Sequence, residues 1–457
     1  MILFARFKTI LFSIFLSSSL QSVEDFKVVI YNVENLFDTD GISLYDDYKP
    51  DAYGEIELAN KLNKITEVLQ KISGQNGPEI LLLQEIEVDR SPETAKSAAS
   101  LLLEKLHAQG LGPYHIALGY DRNADPETWP AVQCLTLSKY PIKETRLHSL
   151  YRARPILETT IMVNDIPFTL FNNHWKSGAS SPEMEKIRIQ NAKVLRERVD
   201  RLLKDNPFRD FLVGGDLNSH YNQSTVYQKE MRITGINDVL LSAGNEPTDL
   251  LPDSKLYNLW HELPAEQRGS DAWKGKWGTL MHILLPVGLF DDRGVRYVGD
   301  SFQVAKFNLL NMMPAGQLPF KWSNDLNGFG ASDHFPVSAE FRISGPKTKR
   351  GKNDSFIEKK SRPVDYQNSS SLARSWNSKS LSPENYGSVF RVKGRITETR
   401  PLTLEVGGHR LGLYSFQKEV QKELFSMKRG SRVSIIGHLS RYRGQWQLIV
   451  EDRNWIN

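Results

Sequence analysis

Apolar residues along this chain fall into two patterns, short unbroken runs and stripes spaced by three and four. Runs at 28–33, 80–83 and 211–213 read as strands, and the wholly apolar 80–83 has the character of a strand covered on both faces. Further strand-like runs lie at 131–137, 156–163, 168–171, 283–285, 295–298 and 337–341. Leu58, Leu62, Ile65, Leu69 and Ile72 alternate spacings of four and three, which predicts a helix packed on one face and ended by Gly74 and Gly77-Pro78. Ala95, Ala98, Leu102 and Leu106 predict a second helix, and residues 183–203 a third. Strands alternating with helices place the chain in the α/β class, while periodicity leaves the topology open.

The pattern changes towards the C-terminus. Residues 346–387 hold few large apolar side chains and many Ser, Lys, Arg and Asn, the composition of a flexible linker. Beyond it, short strands are predicted at 389–396, 402–406, 410–414, 431–439 and 445–450, with a helix at 417–427. At the other end, Arg6 and Lys8 precede an uncharged run from 9 to 20, and Ser18, Ser19 and Ser22 supply small residues for cleavage. This is the layout of a secretory signal, with an apolar run short for a bilayer span; a retained N-terminal anchor is the alternative. The expected organisation is a signal segment 1–22, a main domain 23–345, the linker 346–387 and a terminal domain 388–457. The mature chain is expected to be secreted or periplasmic, without a transmembrane segment, and no protein partner is implied. Its length of 457 residues also exceeds the usual span of one hydrophobic core.

Hydrophobic residues make up 40% and charged residues 25%, which sets aside collagen-like, coiled-coil and disulfide-scaffold classes. Cys134, the one cysteine, lies in an apolar run and reads as a buried thiol, so stability rests on packing and bound metal. The net charge of +4 conceals a division. Thirteen Lys/Arg face 6 Asp/Glu in 388–457 and 9 face 4 in 345–387, which leaves −10 on 23–344. An acidic body with a basic tail suits an enzyme that concentrates cations and a module that meets polyanions; solvated basic surface is the plain alternative.

Five segments close apolar runs with polar groups suited to a divalent metal and a phosphate: YNVENLF (31–37), LLLQE (81–85), NNHW (172–175), GGDLNSH (214–220) and SDHFP (332–336). In this order, and with LSKYP (137–141) between the second and third, they resemble the signature of the endonuclease/exonuclease/phosphatase superfamily. That group includes pancreatic-type deoxyribonucleases, abasic-site endonucleases, sphingomyelinases and inositol-phosphate phosphatases. The resemblance implies a four-layered α/β/β/α sandwich with the site at one edge, where strands of both sheets end. NHWKSG (173–178), followed by an amphipathic helix, is most similar to extracellular bacterial nucleases within the group.

The residues bear roles of that kind. Glu85 is an acid at the end of an apolar strand, a costly placement without a cation nearby. It resembles the family's metal-binding glutamate, Asn32 the asparagine beside it, and Asp333 the acid facing the metal. Oxygen ligands suit Mg²⁺, with Mn²⁺ and Ca²⁺ as the other candidate ions. Asp216 and Asn218 lie two apart, so an extended backbone points both to one side; an Asx turn after Gly214-Gly215 is the plain alternative. By resemblance, Asp216 orients or deprotonates the attacking water or protonates the leaving oxygen, and Asn218 holds a phosphate oxygen. His334 donates to the phosphate or exchanges protons, and His174 is its partner acid from the other side.

One position departs from the family pattern. In GTLMHILLP (278–286), Met281 stands where the family carries the aspartate that orients the final histidine, and a thioether cannot fix an imidazole tautomer. Asp291 or Asp292 substitutes, His282 alters the network, or activity is reduced; in the last case, Met281→Asp raises turnover.

The last seventy residues resemble an OB-fold, whose grooves bind single strands with basic and aromatic side chains. Arg391, Lys393, Arg395, Arg441, Tyr442, Arg443 and Trp446 have that chemistry, and a purely structural barrel is the alternative. Three readings follow: a secreted metal-dependent nuclease acting on DNA or RNA, a phosphodiesterase of another ester such as sphingomyelin, and a catalytically impaired nucleic-acid-binding protein.

Overall fold

The computed structural model describes residues 25–93, 95–244, 254–264, 267–273, 276–313, 317–344, 373–377, 379–382, 385, 388–415, 418–442, 445–450 and 452–457. The signal segment 1–22, most of the linker, and Arg443 lie outside the described residues. Among the described residues no helix is long and apolar enough to cross a membrane.

The strands in chain order are β1 (Asp25–Leu36), β2 (Ile80–Glu87), β3 (His115–Leu118), β4 (Val132–Ser138), β5 (Ile142–His148), β6 (Ile156–Val163), β7 (Ile166–His174) and β8 (Phe211–Asp216). They continue with β9 (Ser242–Ala243), β10 (Leu256–Asn258), β11 (Asp271–Trp273), β12 (Lys276–Gly278), β13 (Met281–Leu285), β14 (Val295–Tyr297), β15 (Gln303–Val304) and β16 (Val337–Ile343). One sheet runs β14-β16-β1-β2-β4-β3 with β15 on β16, and the other β5-β6-β7-β8-β13-β10-β9. The long helices are α1 (Glu55–Ser73), α2 (Ala98–Ala108) and α3 (Pro182–Asp205); a short α4 (Gln223–Val226) follows β8.

Alternation along each strand sends its two faces to different layers. Phe26, Val28 and Ile30 of β1 pack with Leu82 against Phe168, Leu170 and Leu212 of the opposite sheet, forming the central core. Val29, Tyr31 and Val33 point the other way, against Leu58, Leu62, Ile65 and Leu69 of α1 and Leu102 of α2. Ala192, Leu195 and Val199 of α3 cover Phe171, Phe211 and Val213 on the outer face of the second sheet. The layers are therefore α/β/β/α, and burial of both strand faces is why the sequence shows unbroken apolar runs. Truncating a fully buried side chain such as Leu195 to Ala costs about 2–5 kcal/mol.

Local chemistry fixes the helix ends. Gly54 begins α1 with its N–H donated to the Glu57 carboxylate at 2.9 Å, and Gly74 ends it at φ 70°. Ser97 accepts the Ser100 N–H at the start of α2, so this helix begins after Ala95 rather than at it. Ser181 caps α3 and Pro182 occupies its first turn.

The C-terminal region adds β17 (Arg374–Ser375), β18 (Val389–Thr399), β19 (Leu402–Val406), β20 (His409–Tyr414), α5 (Lys418–Phe425), β21 (Arg432–Tyr442) and β22 (Gln445–Ile449). The order β18-β19-β20-β22-β21, closed by pairing of β18 with β21, makes a five-stranded barrel around its own core, with α5 between the third and fourth strands. Pairing of β17 with β18 begins earlier than the linker reading expects, because Trp376 packs edge-on against Phe390 at 5.7 Å.

Candidate active site

The topology brings the polar residues that close five apolar runs to one edge. In each sheet two neighbouring strands run parallel, β1 with β2 and β7 with β8, so their C-terminal ends coincide. Asn32, Glu85, His174 and Asp216 sit there. Because β16 runs antiparallel to β1, the residues just before it, Asp333 and His334, arrive at the same edge.

Asn32 is fully buried and joins the two sheets. Its amide donates to Glu85 Oε1 at 2.9 Å and to Asp216 Oδ2 at 3.0 Å, while its Oδ1 accepts the Glu34 N–H at 3.0 Å. His174 Nε2 lies 3.5 Å from Glu85 Oε1 and 3.8 Å from Asp216 Oδ2. On the other side, His334 Nε2 is 3.6 Å from both Asp216 Oδ2 and Asp333 Oδ1. Asp216 Oδ1 accepts the Asn218 N–H at 2.9 Å, and the Asn218 side chain donates to the Trp175 carbonyl at 3.1 Å. The seven main-domain residues singled out in the sequence are thus linked into one cluster.

The backbone is unusual where these side chains are set. Glu34, Asn35, Glu85 and Asn218 have φ of 53°, 62°, 67° and 48°, a left-handed region costing about 1–3 kcal/mol for such residues. The register of β1 on β2 slips between Asn32 and Leu36, with a matching slip of β2 on β4 beyond Leu83, and this bulge aims Glu85 into the cleft. Asn218 lies past the end of β8 in an Asx turn, so it does not extend the strand as its spacing from Asp216 predicts. Gly215, at φ 125°, leaves no room for a Cβ, which would fall 2.0 Å from the Asn173 carbonyl oxygen. Only glycine allows β7 and β8 to approach closely enough to set His174 beside Asp216.

The two histidines are poised differently. Burial, with Arg154, His334 and Lys176 nearby, holds His174 well below the usual imidazole range and hence neutral. Burial also acts against a charge on His334, but the carboxylates of Asp333, Asp216, Asp271 and Glu85 outweigh it and raise its pKa to about 9. Burial and the charge of Asp333 push Glu85 up, and burial does the same for Asp216.

Several residues of the site escape sequence reasoning. Glu34 stands inside YNVENLF, yet only the bulge turns it inward, where it pairs with Lys321 at 3.1 Å. Lys321 also lies 3.9 Å from Asp333 and comes from a loop that carries no motif. Buried Lys61 interrupts the apolar stripe of α1 and donates to the carbonyls of Glu34 and Ala331, tying β1 to the segment that carries Asp333. A cavity of 910 Å³, lined in part by Glu34, Tyr48, Lys321 and Trp322, opens beside the cluster.

The substitutes expected for the missing aspartate are not here. Met281 lies across from Asp216, buried in the core between the sheets. Because β13 runs away from the site, Asp291 and Asp292 fall at the opposite end of β8, where Asp291 acts on Asp210. His282 is engaged elsewhere, with Asn258 and the Ser219 carbonyl, and burial lowers its pKa to about 3.

The profile of the Endonuclease/Exonuclease/phosphatase family matches residues 27–102 and 133–342, most of both sheets and every residue of this cluster. The chain belongs to that family. Membership makes it a hydrolase acting on phosphoester bonds. Similar solved structures include truncated TDP2 from Caenorhabditis elegans, at 14% identity over 70% of this chain and 98% of that one, with a TM-score of 0.42. Sphingomyelinase C from Streptomyces griseocarneus is 15% identical over 69% and 99%, with a TM-score of 0.43. A family protein from Bacteroides thetaiotaomicron is 13% identical over 70% and 95%, with a TM-score of 0.41. No curated protein matches the sequence significantly.

The match ends before the barrel. There Arg391, Lys393 and Arg395 are exposed at alternate positions of β18, on one face, with Arg395 also donating to the Gly430 carbonyl. Trp446 is half-buried against the barrel core, less free to stack on a base than its sequence position predicts. Arg441 and Tyr442 are placed in β21 by backbone alone, with Arg441 opposite Trp446.

Proposed function

We propose that this chain is an exported, divalent-cation-dependent phosphodiesterase whose substrate is nucleic acid. One observation carries the reading: Asp216 lies between two histidines, within 3.8 Å of each, while Asn32 ties it to Glu85. That arrangement has an acid to orient a water, a cationic imidazole to meet a phosphoryl oxygen, and a carboxylate left for a metal.

The donor chemistry fits a hard cation. Burial, and after it the charge of Asp333, raises Glu85, and a cation held by these two carboxylates would offset both. Among the described residues no three His, Cys, Asp or Glu side chains gather closely enough to close a shell. Mg²⁺ suits such a site, since it binds through one or two carboxylates and keeps several waters; Mn²⁺ and Ca²⁺ are the other candidates. Glu85 and Asp333 would hold the ion, which would supply charge stabilisation to the phosphoryl oxygens.

The remaining parts belong to the chain. Asp216 orients the attacking water and takes its proton. His334, cationic, donates to the phosphoryl oxygen as charge grows there, and Asn218 holds another oxygen. His174, held neutral by burial, faces Glu85 and Asp216 from the other side, and the proton that Asp216 takes from the water is returned through this pair to the leaving oxygen. The basic face of β18 supports nucleic acid as the substrate, with the barrel acting as an OB-type tether. Export rests on Arg6, Lys8 and the uncharged run that follows.

A substrate panel tests the reading. Supercoiled plasmid, single-stranded RNA and sphingomyelin vesicles are each incubated with the full chain and Mg²⁺. Nucleic acid should be cleaved at least tenfold faster than sphingomyelin; equal or faster release of phosphocholine would remove the nuclease assignment.

A further inference from the structure

Beside the catalytic cluster, a lysine rests on two aromatic rings with no acid to balance it. Strand β15 runs antiparallel to β16, and the Ala305 N–H donates to the Pro336 carbonyl at 2.8 Å, which brings Lys306 level with Phe335. Its Nζ lies 4.4 Å from the centre of the Trp277 ring and 5.2 Å from that of Phe335. Among the described residues no carboxylate acts on it, and burial alone lowers its pKa, to about 8. The rings offset part of the cost of partly desolvating this ammonium, and an arriving anion would offset the rest.

Trp277 is held just as firmly, yet it is not covered. It lies in β12, whose hairpin with β11 is fastened to the segment that carries His334. The Phe335 N–H donates to the Ser270 carbonyl at 2.6 Å, and the Ser270 N–H to the Gly278 carbonyl at 2.9 Å. The indole stacks on the fully buried Phe335, with centroids 6.2 Å apart and planes 26° apart. Gly269 makes room for it, since a Cβ there would fall 2.6 Å from Trp277 Cε3. Even so, Trp277 is 39% exposed. An indole fixed in this way can stack a base on its open part with little loss of side-chain freedom.

We infer that Trp277 and Lys306 form a nucleotide subsite beside the catalytic cluster, where the indole stacks an unpaired base and the ammonium meets that nucleotide's phosphate. Phe335, on which both rest, directly follows His334, the residue that meets the phosphoryl oxygen in the proposed reaction. A nucleotide supplies a π-face and an anion together. A small phosphate ester would use the cation and leave the indole in water. The subsite selects single-stranded or locally unpaired nucleic acid, and it lies in the main domain, apart from the barrel. The inference rests on the nuclease reading of the cluster.

Its test uses the full chain with Mg²⁺ and two single-stranded substrates of equal length, an oligonucleotide and the same sugar-phosphate chain without bases. The sugar is deoxyribose or ribose, whichever the wild type cleaves faster. Wild-type kcat/KM should be at least tenfold higher on the base-bearing chain, and Trp277→Ala should bring that ratio below threefold. Lys306→Met keeps the stem over the rings and removes the charge; its kcat/KM should fall at least tenfold on both chains, mainly through KM. A wild-type ratio in Trp277→Ala, or kcat/KM within twofold of wild type in Lys306→Met, overturns the inference. Should Trp277→Ala not fold, Trp277→Phe and Trp277→Leu replace it. A ratio kept by Phe and lost by Leu supports the subsite, and equal ratios refute it. A wild type that cleaves no nucleic acid overturns the nuclease reading and this inference together. One that nicks plasmid yet leaves both single-stranded chains intact overturns this inference alone.

Discussion

Asn32 donates one amide hydrogen to Glu85 and the other to Asp216, at 2.9 and 3.0 Å, and so couples a carboxylate of one sheet to a carboxylate of the other. Its remaining oxygen is occupied by the Glu34 N–H. Three hydrogen bonds therefore fix which way the amide points, and none can be exchanged without breaking another.

Asn32→Asp should be more damaging than Asn32→Ala. The alanine removes two donors, but the aspartate puts a third negative charge against Glu85 and Asp216 in a fully buried position. The expected loss in kcat/KM is about 10²-fold for alanine and greater for aspartate, on the scale of general acid–base and positioning effects. Steady-state kinetics of the two variants decide it, and an aspartate as active as the alanine would show that this amide does not separate the carboxylates.

A second prediction concerns stability away from the site. Glu158 of β6 is buried and accepts from both Arg198 Nε and Nη2, at 2.9 and 2.7 Å, with His148 Nε2 at 2.7 Å. Burial alone would push its pKa up; the hydrogen bonds from Arg198 and His148 outweigh this and hold it at about 2. A carboxylate depressed in the folded state contributes stability above its unfolded pKa of 4.5 and loses it as pH falls through 4.5 towards 2. Glu158→Gln should therefore cost about 3 kcal/mol at pH 7, as expected for breaking a buried pair, and far less near pH 2. Urea melts of both proteins across that range measure it; a difference independent of pH contradicts the assignment.

Much of this architecture was legible in the sequence, for an identifiable reason. Strands covered on both faces carry unbroken apolar runs, and a polar residue at the end of such a run, as at Asn32, Glu85, His174 and Asp216, marks a sheet edge. What stayed hidden depends on backbone detail or on very short elements. Nothing in the letters of Glu34 or Glu85 announces a left-handed φ, and the bulge that aims them arises only when β1 and β2 pair. Strands β11 and β12 have three residues each, too few to show alternation. Lys321 reaches Asp333 from an irregular segment that no periodicity describes.

The barrel makes a separate prediction. If Arg391, Lys393 and Arg395 meet phosphates, deleting residues 346–457 should weaken DNA binding and reduce the slope of log K against log salt by about 3, at about 0.9 per phosphate contact. Fluorescence anisotropy at several salt concentrations gives the slope. An unchanged slope would assign the basic face to solvent.

The central claim, that the cluster around Asn32, Glu85 and Asp216 hydrolyses phosphodiesters with a divalent cation, is tested most directly by nicking of supercoiled plasmid. The full chain should nick with Mg²⁺, stop on chelation and resume when Mg²⁺ is restored in excess. Glu85→Ala should lose about 10²-fold or more while melting with the wild type. Nicking that persists in chelator, or survives in Glu85→Ala, would contradict the account.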